Sequence, residues 1–358
     1  MTDEIKIPWI ETPLVRSTNL SRAAGCNIFL KLENTQPSGS FKSRGIGYYI
    51  VCKLKALRKE RNDPSAKGHF YSSSGANAGL ACIHTANLFG CKTTIVTPIS
   101  TSAFLRAKQR QAGAVEVIRY GNTWQEADDY LRETVMMKPG TTDETRIYVP
   151  PFDAPELWQG NSTMMHEIVR QLGEVTSHYP MNTAPERNGS TPTELTPKID
   201  AVICSVGGGS MFCGLMQAIE ELHLKDRIQV ITVEADGVDS LAQSVAKRER
   251  ITLSRIGSLA TSLGARRVAQ RAFEYGLEKH VRTVVLPDAE AIQACRRFAD
   301  EEHYLVELAC SVCPALCYNG KLPDLIAGFN QNTTVVIVVC GGSNISFEMM
   351  EQYMASLS

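Results

Sequence analysis

Short apolar runs alternate along the chain with longer stretches in which apolar residues recur at helical spacing. Several runs lack polar alternation, which is typical of buried parallel strands. The runs are Ile28 to Leu32, Thr93 to Thr97, Val115 to Ile118, Ala201 to Val206, Gln229 to Glu234 and Thr333 to Val339. The helical stretches include Ser43 to Lys59, Asn77 to Leu88, Ser102 to Gln111, Trp124 to Met137, Pro155 to Leu172 and Met211 to Leu222. This alternation predicts an α/β fold with doubly wound open sheets.

The helical stretch that begins at Pro155 is followed by a change in composition. Gly173 is expected to end this helix, because glycine is common just after a helix C-terminus. Glu174 then begins a segment rich in proline, threonine and asparagine that runs to Pro197. We interpret this segment as a surface loop, since a predicted strand and a glycine turn follow at once.

Length, composition and charge narrow the class of protein. The chain has 358 residues, whereas one hydrophobic core usually serves at most roughly 250 to 300, so two lobes are expected. Its content of 43% hydrophobic and 21% charged residues is ordinary for a soluble enzyme. The formal net charge is −1 and no basic block stands out. These features argue against nucleic acid or an anionic membrane as the main partner and favour a small substrate.

The cysteines and the N-terminus bear on the compartment. The 11 cysteines lack the paired spacing of a metal site, and Cys310, Cys313 and Cys317 lie in an apolar, helix-like stretch without a histidine pair. Reduced thiols in an intracellular protein are therefore expected. The N-terminus lacks a secretory run and a transit pattern, and no apolar stretch reaches the length of about 18 residues that suggests a membrane span. The cytoplasm is favoured, with mitochondria left open.

Three glycine-bearing turns adjoin predicted strands. Gly207-Gly208-Gly209-Ser210 follows a strand and opens a helix, so its N–H groups can bind a phosphate, although a plain tight turn has the same pattern. The turn from Ser72 to Gly79 also opens a helix, and its serine and asparagine residues either cap that helix or bind a substrate carboxylate. The third, Cys340 to Asn344, ends the most hydrophobic strand, at the edge where open α/β sheets bind ligands. Cys340 could also be a small buried hydrophobe.

Lys42 stands in the segment Pro37-Ser38-Gly39-Ser40-Phe41-Lys42-Ser43-Arg44-Gly45. A lysine whose pKa is lowered becomes a nucleophile, and its usual product with an aldehyde cofactor is a Schiff base. The small residues before Lys42 would let a planar ring come close. The alternative is an ordinary surface lysine that follows a turn.

Together these four segments resemble the pyridoxal-phosphate enzymes of fold type II, specifically the serine/threonine dehydratase family, from Thr12 to Asn344. The resemblance implies a Schiff base on Lys42, with Phe41 against the cofactor ring. It places the substrate carboxylate and the cofactor's 3-hydroxyl near the substrate loop, which consists of Ser74, Gly75, Ala76 and Asn77. It also implies that Gly207, Gly208, Gly209 and Ser210 bind the cofactor phosphate and that Cys340 faces the pyridine nitrogen.

The resemblance further implies how the chain is organised. A large cofactor-binding domain would comprise 1–36 and 151–358, and a small substrate-side domain would comprise 37–150. Relatives are commonly dimers, so a homodimer is expected. Glu234 matches a region that binds a monovalent cation such as K⁺, which prefers oxygen ligands, although a solvated acid at a strand end is the alternative.

The reaction implied is dehydration of L-serine and L-threonine to pyruvate or 2-oxobutanoate plus ammonia. Lys42 would remove the Cα proton. A neutral thiol at Cys340 cannot stabilise a protonated pyridine as a carboxylate would, which favours elimination. Gly75 replaces the serine that racemases of the family use as a second acid/base, so dehydration is expected over racemisation. Only 18 residues follow Cys340, so the resemblance implies a catabolic enzyme without the regulatory module of biosynthetic threonine deaminases.

The chain departs from the family pattern at three places. Ala76 replaces a glycine, Ser210 replaces a fourth glycine, and Glu307-Leu308-Ala309-Cys310-Ser311 replaces Glu-Pro-Ala-Cys-Gly. Two alternatives therefore stay open. One is a β-replacement synthase of the sulfhydrylase type, which Cys340 and the Ser-Phe-Lys context disfavour. The other is a catalytically weak protein that binds the cofactor or senses amino acids.

Overall fold

The structure is a computed structural model and describes residues 6–138, 145–178 and 198–357. The chain divides into two compact units. Unit 1 comprises Met1–Ile10, Thr35–Asn161 and Gly342–Asn344, and unit 2 comprises Glu11–Asn34, Ser162–Gly341 and Ile345–Ser358. The domain bounds given above stay a prediction.

The described residues form ten strands and thirteen α-helices. The strands are β1 Leu14–Ser17, β2 Asn27–Lys31, β3 Gly68–Ser72, β4 Lys92–Thr97, β5 Glu116–Arg119, β6 Thr145–Tyr148, β7 Ala201–Ser205, β8 Gln229–Ala235, β9 Val281–Leu286 and β10 Thr334–Val338. The helices are α1 Thr18–Ala24, α2 Lys42–Arg61, α3 Asn77–Leu88, α4 Ala103–Gln111, α5 Trp124–Tyr130, α6 Pro155–His178, α7 Ser210–Glu221, α8 Ser240–Lys247, α9 Gln270–Gly276, α10 Asp288–Glu302, α11 Leu308–Tyr318, α12 Leu322–Leu325 and α13 Phe347–Ala355.

Unit 1 is built on a four-stranded sheet in the order β5-β4-β3-β6, in which every pair is parallel. The whole of β3 is buried, as expected for a strand with neighbours on both sides and helices packed on the sheet. Ile50 and Leu54 of α2 pack with Phe70 of β3 and with Ala81 and Cys82 of α3 in one core cluster. The helix of Lys42 is therefore anchored to this sheet by its apolar side chains.

Unit 2 is built on a six-stranded sheet in the order β1-β2-β10-β7-β8-β9. The β1–β2 pair is antiparallel and the other pairs are parallel. All residues of β7 and β10, the two central strands, are buried. Their unbroken apolar runs are thus explained by burial on both faces.

The predicted α/β class with two doubly wound sheets is confirmed, and all six predicted strands are present with ends within one residue of the prediction. The predicted helix end at Gly173 is wrong, because α6 continues to His178. The predicted surface loop therefore does not begin at Glu174, and its remainder, 179–197, lies outside the described residues. The stretch from Trp124 to Met137 is not one α-helix, since α5 gives way to a π-helical turn at Leu131–Val135.

Four strands escaped prediction: β1, β3, β6 and β9. The central strand β3 contains Gly68 and His69, and glycine is rare in strands. His69 is accommodated because its ring nitrogen shares a hydrogen bond of 2.8 Å with the Thr94 hydroxyl on the neighbouring strand. Across the described ranges, no helix combines the length and the apolarity that a membrane crossing requires.

Candidate active site

Three loops of unit 1 follow neighbouring parallel strands. The loop that begins at Ser73 follows β3, the turn at Ile99 to Thr101 follows β4, and the segment at Pro151 follows β6. Because the carboxyl ends of neighbouring parallel strands lie at one edge of a sheet, these loops share that edge, which is where open α/β sheets bind ligands. The sheet order thus assembles the unit 1 part of the candidate site.

Lys42 is the first residue of α2 and its amine lies at this edge. The Nζ atom donates a hydrogen bond of 2.6 Å to the carbonyl oxygen of Pro151 and lies 5.1 Å from the centre of the Phe41 ring. The start of α2 can approach α6 closely because of two glycines. A Cβ on Gly160 would lie 2.5 Å from the Arg44 carbonyl oxygen, and a Cβ on Gly45 would lie 2.8 Å from that of Leu157. Lys42 is therefore not a free surface lysine that merely follows a turn.

The segment Gly342–Asn344 joins the turn before Lys42 to the start of α3. The Gly342 amide donates to the Gly39 carbonyl at 2.9 Å, and the Ser343 amide donates to Oδ1 of Asn77 at 3.0 Å. Gly39 has φ of +80°, which glycine adopts without strain. Two of the three predicted turns and the Lys42 segment are thus brought together in unit 1.

No side chain caps helix α3. Its N-cap is Ala76, and the Asn77 side chain bonds to Ser343 instead. The alternative that the serines and asparagine of this turn are only helix caps is therefore wrong. Uncapped N–H groups at a helix N-terminus favour an anion such as a substrate carboxylate. Ala76 has φ of −130°, so alanine replaces the family's glycine without the strain of a left-handed backbone.

The substrate loop and the residue before it form hydrogen bonds with polar side chains that are buried or half-buried. The Ser73 hydroxyl donates to Asp128 at 2.5 Å, and the Tyr148 hydroxyl donates to the same carboxylate oxygen at 2.6 Å. Burial raises the pKa of Tyr148, with Asp128 adding to the effect. Nε2 of Gln109 donates to the Ser74 carbonyl at 2.8 Å. These contacts hold the backbone of the loop in place.

In unit 2 the triglycine turn packs against the segment that leads to α9. A Cβ on Gly207 would lie 2.9 Å from Cα of Leu263, and one on Gly209 would lie 2.5 Å from Cβ of Ala272. The Ala269 amide donates to the Gly208 carbonyl at 3.1 Å. Gly209, with φ of +95°, is the N-cap of α7 and provides no side-chain cap. The turn therefore requires glycine and leads into an uncapped helix N-terminus that begins at Ser210.

Cys340 lies just beyond β10, next to the end of β7. Its Sγ atom is 3.6 Å from the hydroxyl oxygen of Ser205, the last residue of β7. Because β7 and β10 are parallel neighbours, Cys340 and the triglycine turn both follow the carboxyl ends of adjacent strands. The neighbouring Cys310 is fully buried, and burial raises the pKa of its thiol, with Cys340 as a further cause. Cys310 is therefore a protonated neighbour of Cys340.

Glu234 is fully buried in β8, so the alternative of a solvated acid is wrong. Its two carboxylate oxygens accept hydrogen bonds from the amides of Leu241 at 2.9 Å and Ala242 at 2.7 Å, near the start of α8. Burial raises the pKa of Glu234 to about 8 even though both amide bonds oppose the shift. Within the described ranges no group of three or more His, Cys, Asp or Glu side chains could hold a metal ion. The K⁺ site at Glu234 stays a prediction.

The departures at Leu308 and Ser311 are accommodated by packing in unit 2. Ser311 is buried and its hydroxyl donates to the Ala291 carbonyl of α10 at 2.7 Å. Leu308 is buried as the first residue of α11. The added hydroxyl therefore binds α11 to α10.

Sequence reasoning missed several residues near the carboxyl ends of the strands, three in unit 1 and one in unit 2. The Pro151 carbonyl and Asp128 carry no local signal, since one is a backbone atom and the other is an ordinary helical acid. Thr101, in the turn after β4, was also missed, although it lies over Gly75. Ser205 was overlooked although it stands in the quoted strand, two residues before the triglycine turn. The roles assigned to Lys42, Phe41, the substrate loop, the triglycine turn with Ser210, and Cys340 stay predictions.

Comparisons with known proteins agree with this arrangement. The family model for pyridoxal-phosphate dependent enzymes matches residues 5–341. The chain therefore belongs to the pyridoxal-phosphate dependent enzyme family, and its architecture is that of fold type II. An L-serine dehydratase of Saccharomyces cerevisiae is 35% identical over 340 residues, 94% of each chain. An L-serine dehydratase/L-threonine deaminase of Bos taurus is 35% identical over 345 residues, covering 95% of this chain and 93% of its own.

A solved structure is also similar over the full length. The crystal structure of a fungal L-serine ammonia-lyase from Rhizomucor miehei has a TM-score of 0.82 at 30% identity, covering 99% of this chain and 100% of the other.

Proposed function

We propose that this protein is a pyridoxal-phosphate dependent ammonia-lyase that dehydrates L-serine and L-threonine to 2-oxo acids and ammonia. One observation carries the proposal, which is the full-length likeness to proteins named for this activity at about a third identity. The geometry supports it, because a lysine amine, an uncapped helix N-terminus and a glycine-lined turn lie at the carboxyl ends of parallel strands.

The residues present fit the cofactor. The hydroxyl of Ser40, two residues before Lys42, is buried and has no hydrogen-bond partner among the described residues. A buried hydroxyl without a partner is costly, so a polar ligand beside Lys42 would satisfy it. The triglycine turn and the start of α7 form the kind of N–H-rich concavity that binds phosphate groups.

We assign the cofactor contacts as follows. Lys42 would bind the aldehyde covalently, with Phe41 beside the ring. The N–H groups from Gly207 to Ser210 would bind the phosphate. Asn77 would contact the ring hydroxyl and Cys340 the pyridine nitrogen, and the Ser205 hydroxyl, 3.6 Å from the Cys340 Sγ atom, would orient that thiol.

Bound pyridoxal phosphate supplies an aldehyde that links to amines and a ring that withdraws electrons from the substrate Cα. Lys42 acts as the base that removes the Cα proton. The Pro151 carbonyl, 2.6 Å from Nζ, holds the released amine at the sheet edge. The uncapped N-terminus of α3 binds the substrate carboxylate, with Ser74, Gly75 and Ala76 as its backbone lining. This orientation leaves the β-hydroxyl as the leaving group.

The resemblance also supports a homodimer in the cytoplasm, with K⁺ bound near Glu234. Size-exclusion chromatography with light scattering tests the dimer, where a monomer mass would contradict it. Activity measured in K⁺ and in Na⁺ tests the cation, and equal rates in both would contradict it.

The function is tested with two lysine variants of the same helix. Wild-type holoenzyme is expected to release pyruvate from L-serine and 2-oxobutanoate from L-threonine, and to show the visible absorbance of a lysine-bound cofactor. Lys42→Ala should lose that absorbance and reduce release by at least about 10²-fold, because the base is gone. Lys53→Ala is the control, since Lys53 lies on the same helix, forms a half-exposed ion pair with Glu156 at 2.9 Å and lies 4.7 Å from the centre of the Tyr49 ring.

Two results would contradict the proposal. Release of 2-oxo acid by Lys42→Ala at the wild-type rate would remove Lys42 from the reaction. Wild-type protein that binds the cofactor but forms products only after a sulfur nucleophile is added would be a β-replacement synthase.

A further inference from the structure

The space above Gly75 is filled by Thr101. A Cβ built on Gly75 would lie 2.5 Å from Oγ1 of Thr101, 2.8 Å from its Cγ2 and 3.2 Å from its Cβ. Contacts below 3.0 Å are essentially never made by real Cβ atoms. A side chain at position 75 is therefore incompatible with Thr101 where it stands.

Rotation of the Thr101 side chain would still leave a close contact, since a distance of 3.2 Å is tighter than most real Cβ contacts. Turning χ1 moves the two γ atoms of this β-branched residue but leaves its Cβ at 3.2 Å. The backbone is held as well, because the Thr101 amide donates to the Pro98 carbonyl at 3.0 Å. The next residue, Ser102, caps α4 by accepting from the Leu105 amide at 3.2 Å.

Helix α4 is itself attached to the substrate loop. Gln109 of α4 is fully buried and donates to the Ser74 carbonyl at 2.8 Å. A Cβ on Gly79 would lie 2.7 Å from this Gln109 Nε2 atom, so the start of α3 also closes on it. Thr101 and Gly75 are thus held close to each other by contacts on both sides.

The chemical consequence concerns what happens after the Cα proton has been removed. Elimination then breaks the Cβ–O bond, and the departing hydroxide takes up one proton to leave as water, which balances the proton that Lys42 removed from Cα. Racemisation instead needs a second acid that delivers a proton to the opposite face of Cα. Water later reprotonates this acid, and Lys42 loses its proton to solvent. A glycine offers no such acid.

We propose that Thr101 is a specificity-determining residue, because it occupies the space that a side chain at position 75 of the substrate loop would need, so that the loop cannot accommodate the second acid of a racemase there unless Thr101 also changes. The proposal rests on the proposed function, in which the substrate lies at this loop. The turn after β4 would thus influence the choice between elimination and racemisation through the shape of the Thr101 side chain.

Paired variants separate the shape of Thr101 from its hydroxyl. The set consists of G75S, G75S/T101A and G75S/T101V, with T101A and T101V as single controls. Alanine removes both γ atoms, whereas valine keeps them and removes only the hydroxyl. The midpoint of thermal denaturation should fall by about 2–4 °C or more in G75S, because of overpacking. It should recover in G75S/T101A and stay low in G75S/T101V.

The second measurement is the product of each holoenzyme. G75S/T101A should form D-serine from L-serine in deuterated water at least tenfold faster than G75S or G75S/T101V, with deuterium at Cα. G75S as stable as wild type, recovery in G75S/T101V, or recovery without D-serine would each overturn the proposal. The denaturation midpoints need no turnover, so they report on Thr101 even if wild-type protein forms no pyruvate, which would contradict only the proposed function.

Discussion

Individual side chains of the candidate site take their positions from residues distant in the chain. The Lys42 amine bonds to a carbonyl 109 residues later, and Cys340 contacts a hydroxyl 135 residues earlier. Phe41, in contrast, is placed against the Lys42 amine by adjacency alone. The motif around Lys42 therefore identifies the residue, while the partner that holds its amine comes from another strand end.

At the residue scale, Asp128 is expected to support the substrate loop. Asp128→Asn should lower the free energy of unfolding by about 1–3 kcal/mol, because the buried Ser73 hydroxyl and the half-buried Tyr148 hydroxyl lose a charged acceptor. It should also raise KM for L-serine, since Ser73 precedes the loop. The measurements are denaturant unfolding and steady-state kinetics.

The neighbouring Asp129 provides the control for this prediction. Its side chain is 43% exposed and pairs with Arg132 at 3.4 Å. Asp129→Asn should change stability by at most about 0.5 kcal/mol and leave KM unaltered. Equal effects of the two variants would show that Asp128 has no special role in positioning the loop.

At the scale of elements, the turns between strands and helices define the site more than the elements do. Gly207 and Gly209 are required because the segment from Leu263 to Ala272 packs directly on the turn. The three glycines were evident in the sequence. Positions 207 and 209 need glycine because each closely approaches a residue more than fifty positions away. A distant contact also decides the N-terminus of α3, where the Asn77 side chain accepts a hydrogen bond from the Ser343 amide and does not cap the helix.

Gly209→Ala is expected to disturb this turn in two ways. Alanine at a φ of +95° costs about 1–2 kcal/mol, and the close approach to Ala272 adds about 1–3 kcal/mol. Cofactor affinity, measured by fluorescence titration, should fall because the phosphate-binding N–H groups move.

Gly320→Ala separates the two causes. Gly320 has φ of +71° and a Cβ there would meet nothing within 4 Å. Only the backbone cost of about 1–2 kcal/mol should therefore appear, with cofactor affinity unchanged. If Gly209→Ala were no more destabilising than Gly320→Ala, packing against Ala272 would not constrain the turn.

At the scale of the whole molecule, the reactivity of the cysteines can be used to measure how well the two units are packed. All 11 cysteines lie in the described part of the chain and form no disulfides, and ten of them are buried while Cys52 is half-buried. Burial raises the pKa of the Cys52 thiol too, which slows its reaction. A thiol reagent should therefore label at most one cysteine in the native protein and all 11 in denaturant without reductant.

Cys52→Ser is expected to abolish the native labelling and leave ten reactive thiols after unfolding. Fewer than 11 reactive thiols in the unfolded wild-type protein would indicate a disulfide. Rapid labelling of several thiols in the native state would contradict the burial of the cysteines in the two units.

The same distinction between local and distant causes explains which predictions succeeded. The six predicted strands were found because each is short and contains adjacent apolar residues, most clearly in β7 and β10. Strand β3 was missed because Gly68 and His69 conceal its buried position. The His69 ring shares hydrogen bonds with the hydroxyls of Thr94 on the neighbouring strand and of Tyr71. The helix end at Gly173 was wrong because α6 continues through that glycine.

The amino-acid sequence by itself determined the α/β class, the positions of most central strands, Lys42 and the triglycine turn. Each of these depends on a local property, such as an apolar run or a backbone that only glycine can adopt. Only the tertiary structure decided that Pro151 holds the Lys42 amine, that Ser343 binds Asn77 and that Thr101 closes the space over Gly75. These contacts follow from the order of strands in a sheet, which brings distant chain segments to one edge and which no local pattern specifies.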